Sequence, residues 1–364
     1  MKNILVITNM YPSKKFPHYG TFVKNTCNIL SDLGYQVKVI SLKKHTNKLI
    51  KAIAYINFYI KSYFACKNKK YNCIYAHYIS HSTLPIIKAL KKNKMGKKII
   101  LNAHGNDILP DRNIDMYNIN RSKAALEIAD LVIVPSKYFK DVLIDKYLVK
   151  PEIIKVFPSG GIDKNVMKKH NKKESKEQLK LDVDTKYIGF VSRIEKDKGY
   201  DDFINAINII KDELNDYKIL MVGSGEEDHK LNKLIEDYKL KEKVVLIPFM
   251  EQEKLAYFYS AIDLFVLPTK RKSESLSLVG IEAFACSTLC VINTLYGPGS
   301  YADSSNCICY KELDDGKTLA DKIIEAINLS EDKKKVLIRN AHDTALKFDK
   351  EVLKIKLDDI FSNI

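Results

Sequence analysis

The sequence lacks several features that mark whole classes of protein. Its seven cysteines form no C-x-x-C pair, so neither a disulfide framework nor a zinc ribbon is indicated, and a reducing compartment fits best. No apolar run reaches the roughly 18 residues that a membrane-spanning helix needs. The apolar stretch within residues 1–8 is too short for the core of a signal peptide. We therefore expect a cytoplasmic protein that neither spans a membrane nor is exported by that route.

Repeats, nucleic-acid-binding motifs and metal-ligand spacings are also missing. We find no repeat of fixed short period, helix-turn-helix, RNA-binding aromatic motif or zinc finger. Residues 182–184 spell Asp-Val-Asp, a D-x-D by which some enzymes bind a metal, but they precede an apolar strand pattern and are interpreted as a polar turn. The sequence thus predicts no nucleic-acid partner and no bound metal.

Acidic residues are scarce in the first half of the chain. Residues 1–165 hold 28 Lys and Arg against 10 Asp and Glu, a balance of +18, whereas the remainder stands at −3. Such asymmetry indicates an anionic partner for the first half: a lipid surface, a nucleic acid or a phosphorylated substrate. A lysine-rich surface that merely reflects overall composition is the alternative.

The segment 43–70 is basic, aromatic and long enough for a helix. Two interpretations stay open for it. The segment could lie in a membrane interface, with its lysines on anionic headgroups. Equally, its apolar side could cover the first sheet while the lysines face solvent.

The length of 364 residues and the hydrophobic content of 46% suit two domains, each with its own core. Short apolar runs separated by helix-length segments predict buried parallel strands in both halves. These runs are 37–40, 73–76, 98–101 and 131–134, then 187–191, 219–222, 244–247, 264–267 and 289–292. We predict an α/β protein with domains at 1–163 and 164–348, and a C-terminal helix at about 349–364 that packs back onto the first. A ligand in the cleft between the domains is expected, because parallel sheets carry functional loops at the carboxyl ends of their strands.

The strongest chemical signal lies at 268–288. A strand ends at Leu267, and the apolar pattern from Leu278 onward opens a helix. The amides near Ser277, Leu278 and Val279 would then lie at a helix N-terminus, where they can hold a diphosphate.

Two glutamates, Glu274 and Glu282, stand eight residues apart in this region. Ionised carboxylates accept hydrogen bonds, so Glu274 suits the hydroxyls of a sugar and Glu282 those of a ribose. The alternative is two glutamates of a solvated helix. It is weakened because Glu282 lies inside the apolar run 279–285, where a carboxylate needs a partner.

This E-x7-E spacing resembles the signature of the retaining family 4 glycosyltransferases of GT-B fold. Residues 192–199, Ser-Arg-Ile-Glu-Lys-Asp-Lys-Gly, resemble that family's Gly-Arg-Leu…Lys-Gly block, and residues 222–226 resemble its glycine turn. The resemblance extends over nearly the whole chain. It implies that Arg193 and Lys198 clamp the donor diphosphate and that Gly223 lies at the donor.

In the first domain, Gly20 resembles the loop glycine whose amide approaches the donor phosphates. The block 104–107, His-Gly-Asn-Asp, resembles the family's His-Gly-x-Asp, which implies that His104 faces the transferred sugar across the cleft. His77 and His81 follow another strand end and are candidates for acceptor contact, although a purely structural role is the alternative for both.

Three serines replace glycines of the family pattern: Ser192, Ser277 and Ser287. Serine retains the backbone amide but adds a side chain, so these positions bear on the geometry and identity of the donor.

The resemblance implies two Rossmann-like doubly wound sheets and a metal-independent, retaining hexosyltransferase. It needs no cofactor beyond a nucleoside-diphosphate sugar as co-substrate, with UDP- or GDP-sugars expected. We expect a glycan or polyprenyl-diphosphate-linked acceptor in surface polysaccharide assembly, at the inner face of the cytoplasmic membrane. Two alternatives stay open: a GT-B nucleotide-sugar epimerase, and a non-catalytic GT-B accessory subunit, which the serine replacements suggest.

Overall fold

The computed structural model describes residues 2–16, 19–111, 113–158 and 160–363, with the backbone alone at 113–118. The chain divides into two compact units. Unit 1 is Met1–Gly160 with Leu353–Ile364, and unit 2 is Gly161–Val352. The first domain was predicted to end at residue 163, and the chain to return to it at about residue 349. Both divisions lie a few residues away, because Ile162 pairs with Asp349 and both belong to unit 2.

Unit 1 is built on a six-stranded sheet of order β2-β1-β3-β4-β5-β6, and all its strand pairs are parallel. Its strands are β1 (Asn3–Thr8), β2 (Gln36–Ser41), β3 (Cys73–His77), β4 (Lys98–Asn102), β5 (Leu131–Val134) and β6 (Ile154–Val156). Its helices are α1 (Thr21–Asp32), α2 (Lys48–Lys67), α3 (Ile79–Ser82), α4 (Leu84–Leu90), α5 (Asn113–Leu126), α6 (Lys137–Tyr147) and, at the end of the chain, α14 (Lys350–Ser362).

Successive side chains along each strand of unit 1 point to opposite faces of the sheet, and both faces are buried. In β1, Leu5 and Ile7 join one core cluster, and Ile4 and Val6 join the other. The second cluster includes Leu357 of α14, so the end of the chain covers the same sheet as its beginning.

Unit 2 repeats this architecture with a six-stranded parallel sheet of order β12-β11-β10-β7-β8-β9. Its strands are β7 (Lys186–Val191), β8 (Tyr217–Val222), β9 (Val244–Ile247), β10 (Leu264–Leu267), β11 (Cys290–Asn293) and β12 (Ile308–Tyr310). Its helices are α7 (Lys172–Gln178), α8 (Tyr200–Ile209), α9 (Asp228–Asp237), α10 (Gln252–Ala261), α11 (Leu278–Ala285), α12 (Lys317–Ile327) and α13 (Glu331–Leu346).

The predicted α/β class with two Rossmann-like parallel sheets is confirmed, and each apolar run predicted as a strand lies in one, except that Leu289 stands just before β11. The prediction missed β6 and β12. Both have only three residues, which is too short for a distinct apolar run. The interpretation of 182–184 as a turn is also confirmed, since Asp182 accepts a hydrogen bond from the amide of Asp184 at 2.9 Å ahead of β7.

Each sheet reverses its strand order at one place. In unit 1 the chain leaves β1 toward β2 and returns on the other side to form β3; in unit 2 it leaves β7 toward β8 and later returns to form β10. Loops diverge at such a switch point and leave a crevice at the carboxyl ends of the strands. Among the described helices, none has the length and apolarity needed to cross a bilayer.

Glycine is usual in the left-handed position just after the end of a helix, but several helices of this glycine-poor chain have another residue there. After α11, the amides of Ser287 and Thr288 donate to the carbonyls of Phe284 and Ala283, which is a Schellman motif. Ser287 has φ +59° there. This left-handed conformation costs a non-glycine residue about 1–2 kcal/mol.

We therefore predict that Ser287→Gly raises the stability of the protein by about 0.5–1 kcal/mol, because the relief of the left-handed conformation exceeds the entropy that glycine adds to the unfolded chain. Urea unfolding followed by circular dichroism measures the shift in midpoint. Ser192→Gly is the matched control: Ser192 also replaces a family glycine, yet it has no positive φ, so no gain is expected. A lower midpoint for Ser287→Gly would contradict the prediction.

Candidate functional site

The predicted donor residues of unit 2 lie in the loops that leave β7, β8 and β10. These strands are neighbours, so their loops meet at one edge of the sheet. There the ammonium of Lys198 lies 2.5 Å from Oε2 of Glu274, and the two side chains are only 13% and 12% exposed. The hydroxyl of Thr269 also reaches Glu274, at 3.4 Å. The structure thus joins two residues that are 76 positions apart in the sequence.

Three cations set the charge state of Glu274. Burial raises the pKa of its carboxyl, but the ammonium of Lys198 and the guanidinium groups of Arg271 and Arg193 outweigh burial and hold the pKa below its ordinary value. Glu274 is therefore an ionised, acceptor-only group at neutral pH.

Arg193 lies at the rim of this edge, with 65% of its side chain exposed. Its guanidinium donates to Oε1 of Glu195 at 2.5 Å, and Arg271 donates to Oε2 of the same carboxylate at 3.1 Å. Sequence reasoning missed Arg271 and Glu195 as members of the site. Both lie inside the blocks that carried the resemblance, but no motif position distinguished them.

The N-terminus of α11 lies in the same loop region. Ser277 precedes the helix with φ +66° and makes no side-chain capping bond. Its carbonyl accepts from the hydroxyl of Tyr301 at 3.1 Å. The amides of Leu278 and Val279 are in the first turn and have no partner within the helix, so they can bind an anion.

Gly223, after β8, stands where the backbone of another loop leaves no room for a side chain. A Cβ at this position would lie 1.8 Å from the carbonyl oxygen of Ser192. The amide of Ser192 in turn donates to the carbonyl of Val222 at 3.1 Å. Glycine therefore lets the loops after β7 and β8 pack directly against each other, and its role toward a donor stays a prediction.

Glu282 has its own surroundings. It is 8% exposed and accepts a hydrogen bond from the hydroxyl of Tyr259 at 3.1 Å. Burial raises its pKa to about 7, although hydrogen bonds from Tyr259 and Gln252 oppose the rise. The carboxylate inside the apolar run thus has the partner it requires, while its contact with a ribose stays a prediction.

In unit 1, His104 follows β4 and lies among aromatic rings. The rings of Phe22 and Tyr78 have centroids 4.7 and 5.2 Å from that of His104. Nε2 of His104 lies 3.0 Å from Nδ1 of His77 at the end of β3. Burial lowers the pKa of His104 to about 3 and that of His77 well below its ordinary value, and the proximity of His104 adds to the effect on His77. Both rings are neutral at neutral pH, so one nitrogen of each is a donor and the other an acceptor.

The other histidine predicted at this end of the sheet lies apart from that pair. Nδ1 of His81 lies 2.7 Å from the hydroxyl of Ser80, and its ring stands edge-on to Tyr78 at 6.3 Å. His77 has no exposed surface. His77 therefore makes no direct contact with a ligand in this conformation.

Asp107 is a structural anchor that sequence reasoning did not single out. It is fully buried and accepts hydrogen bonds from the amides of His104 at 3.0 Å, Gly105 at 2.9 Å and Ile79 at 2.9 Å. Burial raises its pKa while these amides oppose the rise. The carboxyl therefore ties the loop after β4 to the start of α3, and it fixes the backbone of His104.

Gly20 precedes α1 with φ +79°. A Cβ at this position would lie 2.7 Å from the carbonyl carbon of Met10. Glycine thus lets α1 begin against the loop after β1, and α1 carries Phe22 to the ring of His104. The predicted contact of its amide with a donor phosphate stays a prediction.

Two Rossmann-like parallel sheets of this kind define the GT-B glycosyltransferase fold, and solved structures agree. The chain superposes on sucrose-phosphate synthase from Thermosynechococcus elongatus with TM-score 0.80 and 18% identity, covering 100% and 99% of the two chains. It superposes on HepE of Anabaena, solved in complex with UDP-glucose, with TM-score 0.73 and 18% identity over 100% of both chains.

The sequence matches two family models. Residues 19–163 match Glycosyltransferase Family 4, and residues 171–344 match Glycosyl transferases group 1. Together the two models cover most of the chain. The chain belongs to the family 4 glycosyltransferases, as its motifs indicated.

Relatives within the family differ in how much of the chain they match. An uncharacterized glycosyltransferase of Methanocaldococcus jannaschii is 25% identical over 96% of each chain. The capsular polysaccharide biosynthesis glycosyltransferase CapM of Staphylococcus aureus is 30% identical over 57% of this chain and 54% of its own.

The raised pKa of Glu282 predicts a pH dependence of stability. Between the ordinary pKa of 4.5 and about 7, the folded protein holds a proton that the unfolded chain has lost, so the free energy of unfolding falls as pH rises through this window. The full loss is about 3 kcal/mol. Glu282→Gln cannot ionise and escapes this loss.

Urea unfolding of both proteins at pH 4.5 and pH 8 measures the effect. We expect Glu282→Gln to gain stability relative to the unsubstituted protein as pH rises. A difference between the two proteins that is the same at both pH values would contradict the assignment.

Proposed function

We propose that this glycosyltransferase moves a hexose-type sugar from a nucleoside-diphosphate sugar to a glycan or lipid-linked acceptor, with retention at the anomeric carbon. The observation that carries the proposal is the shielded Lys198–Glu274 pair, with α11 beginning four residues after Glu274 in the same loop region. Fixed positive charge for a diphosphate and an ionised acceptor for sugar hydroxyls are thereby close together. HepE, solved with UDP-glucose, supports a sugar nucleotide as donor.

Binding would proceed by exchange of partners. Lys198 and Arg193 form ion pairs with Glu274 and Glu195, respectively. Donor phosphate oxygens would replace these carboxylates as acceptors, together with the amides of α11. Glu274, released from Lys198, would then accept hydrogen bonds from the transferred sugar.

The transfer step would be electrostatic. The bond between the anomeric carbon and the diphosphate oxygen breaks, and the acceptor oxygen bonds to the same face of that carbon. The departing diphosphate takes the acceptor's proton. Lys198 and Arg193 stabilise the negative charge that develops on the leaving group, which is the task a metal ion has in other enzymes. We therefore propose that transfer does not depend on a metal.

In unit 1, we propose that His104 hydrogen-bonds a hydroxyl of a bound sugar. The pKa of about 3 keeps its ring neutral, and Phe22 and Tyr78 hold the ring in place. His81 is the stronger candidate for acceptor contact, because His77 is fully buried. The relative CapM, named for capsular polysaccharide biosynthesis, supports surface polysaccharide assembly as the setting.

The test is a thermal-shift screen against UDP-, GDP- and ADP-sugars, with magnesium and with a chelator. We expect one donor series to raise the melting temperature in both conditions. The shift should disappear in Lys198→Ala, with each variant compared with its own unliganded state because the substitution leaves Glu274 unpaired.

Lys172→Ala is the matched control, since Lys172 forms an ion pair with Asp263 elsewhere in unit 2 at 2.6 Å. It should keep the shift. Absence of any shift in the unsubstituted protein would contradict the proposal, and a sugar epimer released without acceptor would indicate an epimerase instead.

A further inference from the structure

Helix α2 has two apolar faces, and only one of them is packed. Phe58 and Cys66 are buried against the core of unit 1. On the other face, five large apolar side chains are between 52% and 71% exposed: Leu49, Ile53, Ile56, Ile60 and Phe64. Covering the first sheet therefore explains one face of α2 and leaves the other unexplained.

The exposed side chains form one continuous stripe. Their spacings of four, three, four and four residues place them on the same side of a helix. From Leu49 to Phe64 the stripe is about 22 Å long at 1.5 Å per residue. Soluble monomers rarely expose an apolar patch of this extent unless it is an interaction site.

The segment of sequence that contains the stripe carries charge of one sign. From residue 33 to residue 106 the sequence contains 15 lysines and no aspartate or glutamate. Four of these lysines lie on α2 itself and are exposed: Lys48, Lys51, Lys61 and Lys67. An apolar stripe flanked by lysines is the pattern of a helix that lies in the interface of an anionic membrane.

We infer that α2 is a docking surface for an anionic phospholipid membrane, with the stripe from Leu49 to Phe64 inserted among the headgroups and the lysines on lipid phosphates. A second copy of this chain fits α2 less well, because two helices that carry lysines and no acidic residue would repel each other. Docking would bring unit 1 to a lipid-linked acceptor, and in this respect the inference rests on the proposed function.

The experiment is co-sedimentation of the full chain with vesicles of phosphatidylcholine alone and of phosphatidylcholine with phosphatidylglycerol, at low and high salt. We expect binding to the anionic vesicles that weakens with salt. The double variant Ile53→Ser/Ile60→Ser should bind at least about tenfold more weakly, since it removes two inserted side chains. Lys51→Glu/Lys61→Glu should weaken binding and reduce its salt dependence.

Ile355→Ser is the matched control, because Ile355 is an equally apolar residue of unit 1, 73% exposed on α14. It should bind as the unsubstituted protein does. Circular dichroism melting should be unchanged in the stripe variant, whose substituted side chains are exposed.

Three results would overturn the inference. The first is no binding of the unsubstituted protein to anionic vesicles at low salt, and the second is equal binding by the stripe variant. The third is a dimer in light scattering that the stripe variant dissociates, which would assign the stripe to a second copy. The donor thermal shift should persist in the stripe variant, so a failure of the donor proposal and a failure of the membrane inference give different readouts.

Discussion

Lys198 and Glu274 form an ion pair with little access to solvent, where the loops after β7 and β10 meet. Removing either partner would leave a charge shielded from water, at a cost of about 3–5 kcal/mol. The pair therefore holds two loops that local sequence preferences alone would not fix. A backbone bond from the amide of Lys270 to the carbonyl of Asp197, at 3.0 Å, ties the same loops. The consequence is a fixed cation and an ionised carboxylate beside a helix N-terminus.

Unit 1 uses a buried carboxyl in a different way. Asp107 binds three backbone amides and, within the part of the chain that the structure describes, no cation, so its carboxyl fixes the shape of the loop that presents His104. Aromatic rings then pack against the imidazole, and burial keeps the ring neutral. One unit thus places an ion pair at the edge of its sheet, and the other places a neutral imidazole there.

The sequence predicted most of the fold because buried parallel strands appear as short apolar runs, and because parallel topology brings the ends of neighbouring strands together. On this basis Lys198 and Glu274 were expected at one site. The partner of Glu282 was not predictable, since Tyr259 lies on another helix. Asp107 lies in the quoted block 104–107, but nothing in the sequence indicated that its carboxyl also binds the amide of Ile79. The same holds for α2, whose apolar residues lie on both faces: its sequence alone did not indicate that Phe58 is buried while Leu49 and Phe64 are exposed.

The most direct measurement is calorimetric titration of the preferred nucleoside diphosphate and of its sugar into the unsubstituted protein, Lys198→Met and Glu274→Gln. If Lys198 binds phosphate and Glu274 binds sugar, Lys198→Met weakens both ligands about tenfold or more. Glu274→Gln then leaves the diphosphate unaffected or bound more tightly, and it weakens only the additional affinity for the sugar. Full binding of the diphosphate by Lys198→Met, or equal weakening of both ligands by Glu274→Gln, would contradict this division of roles.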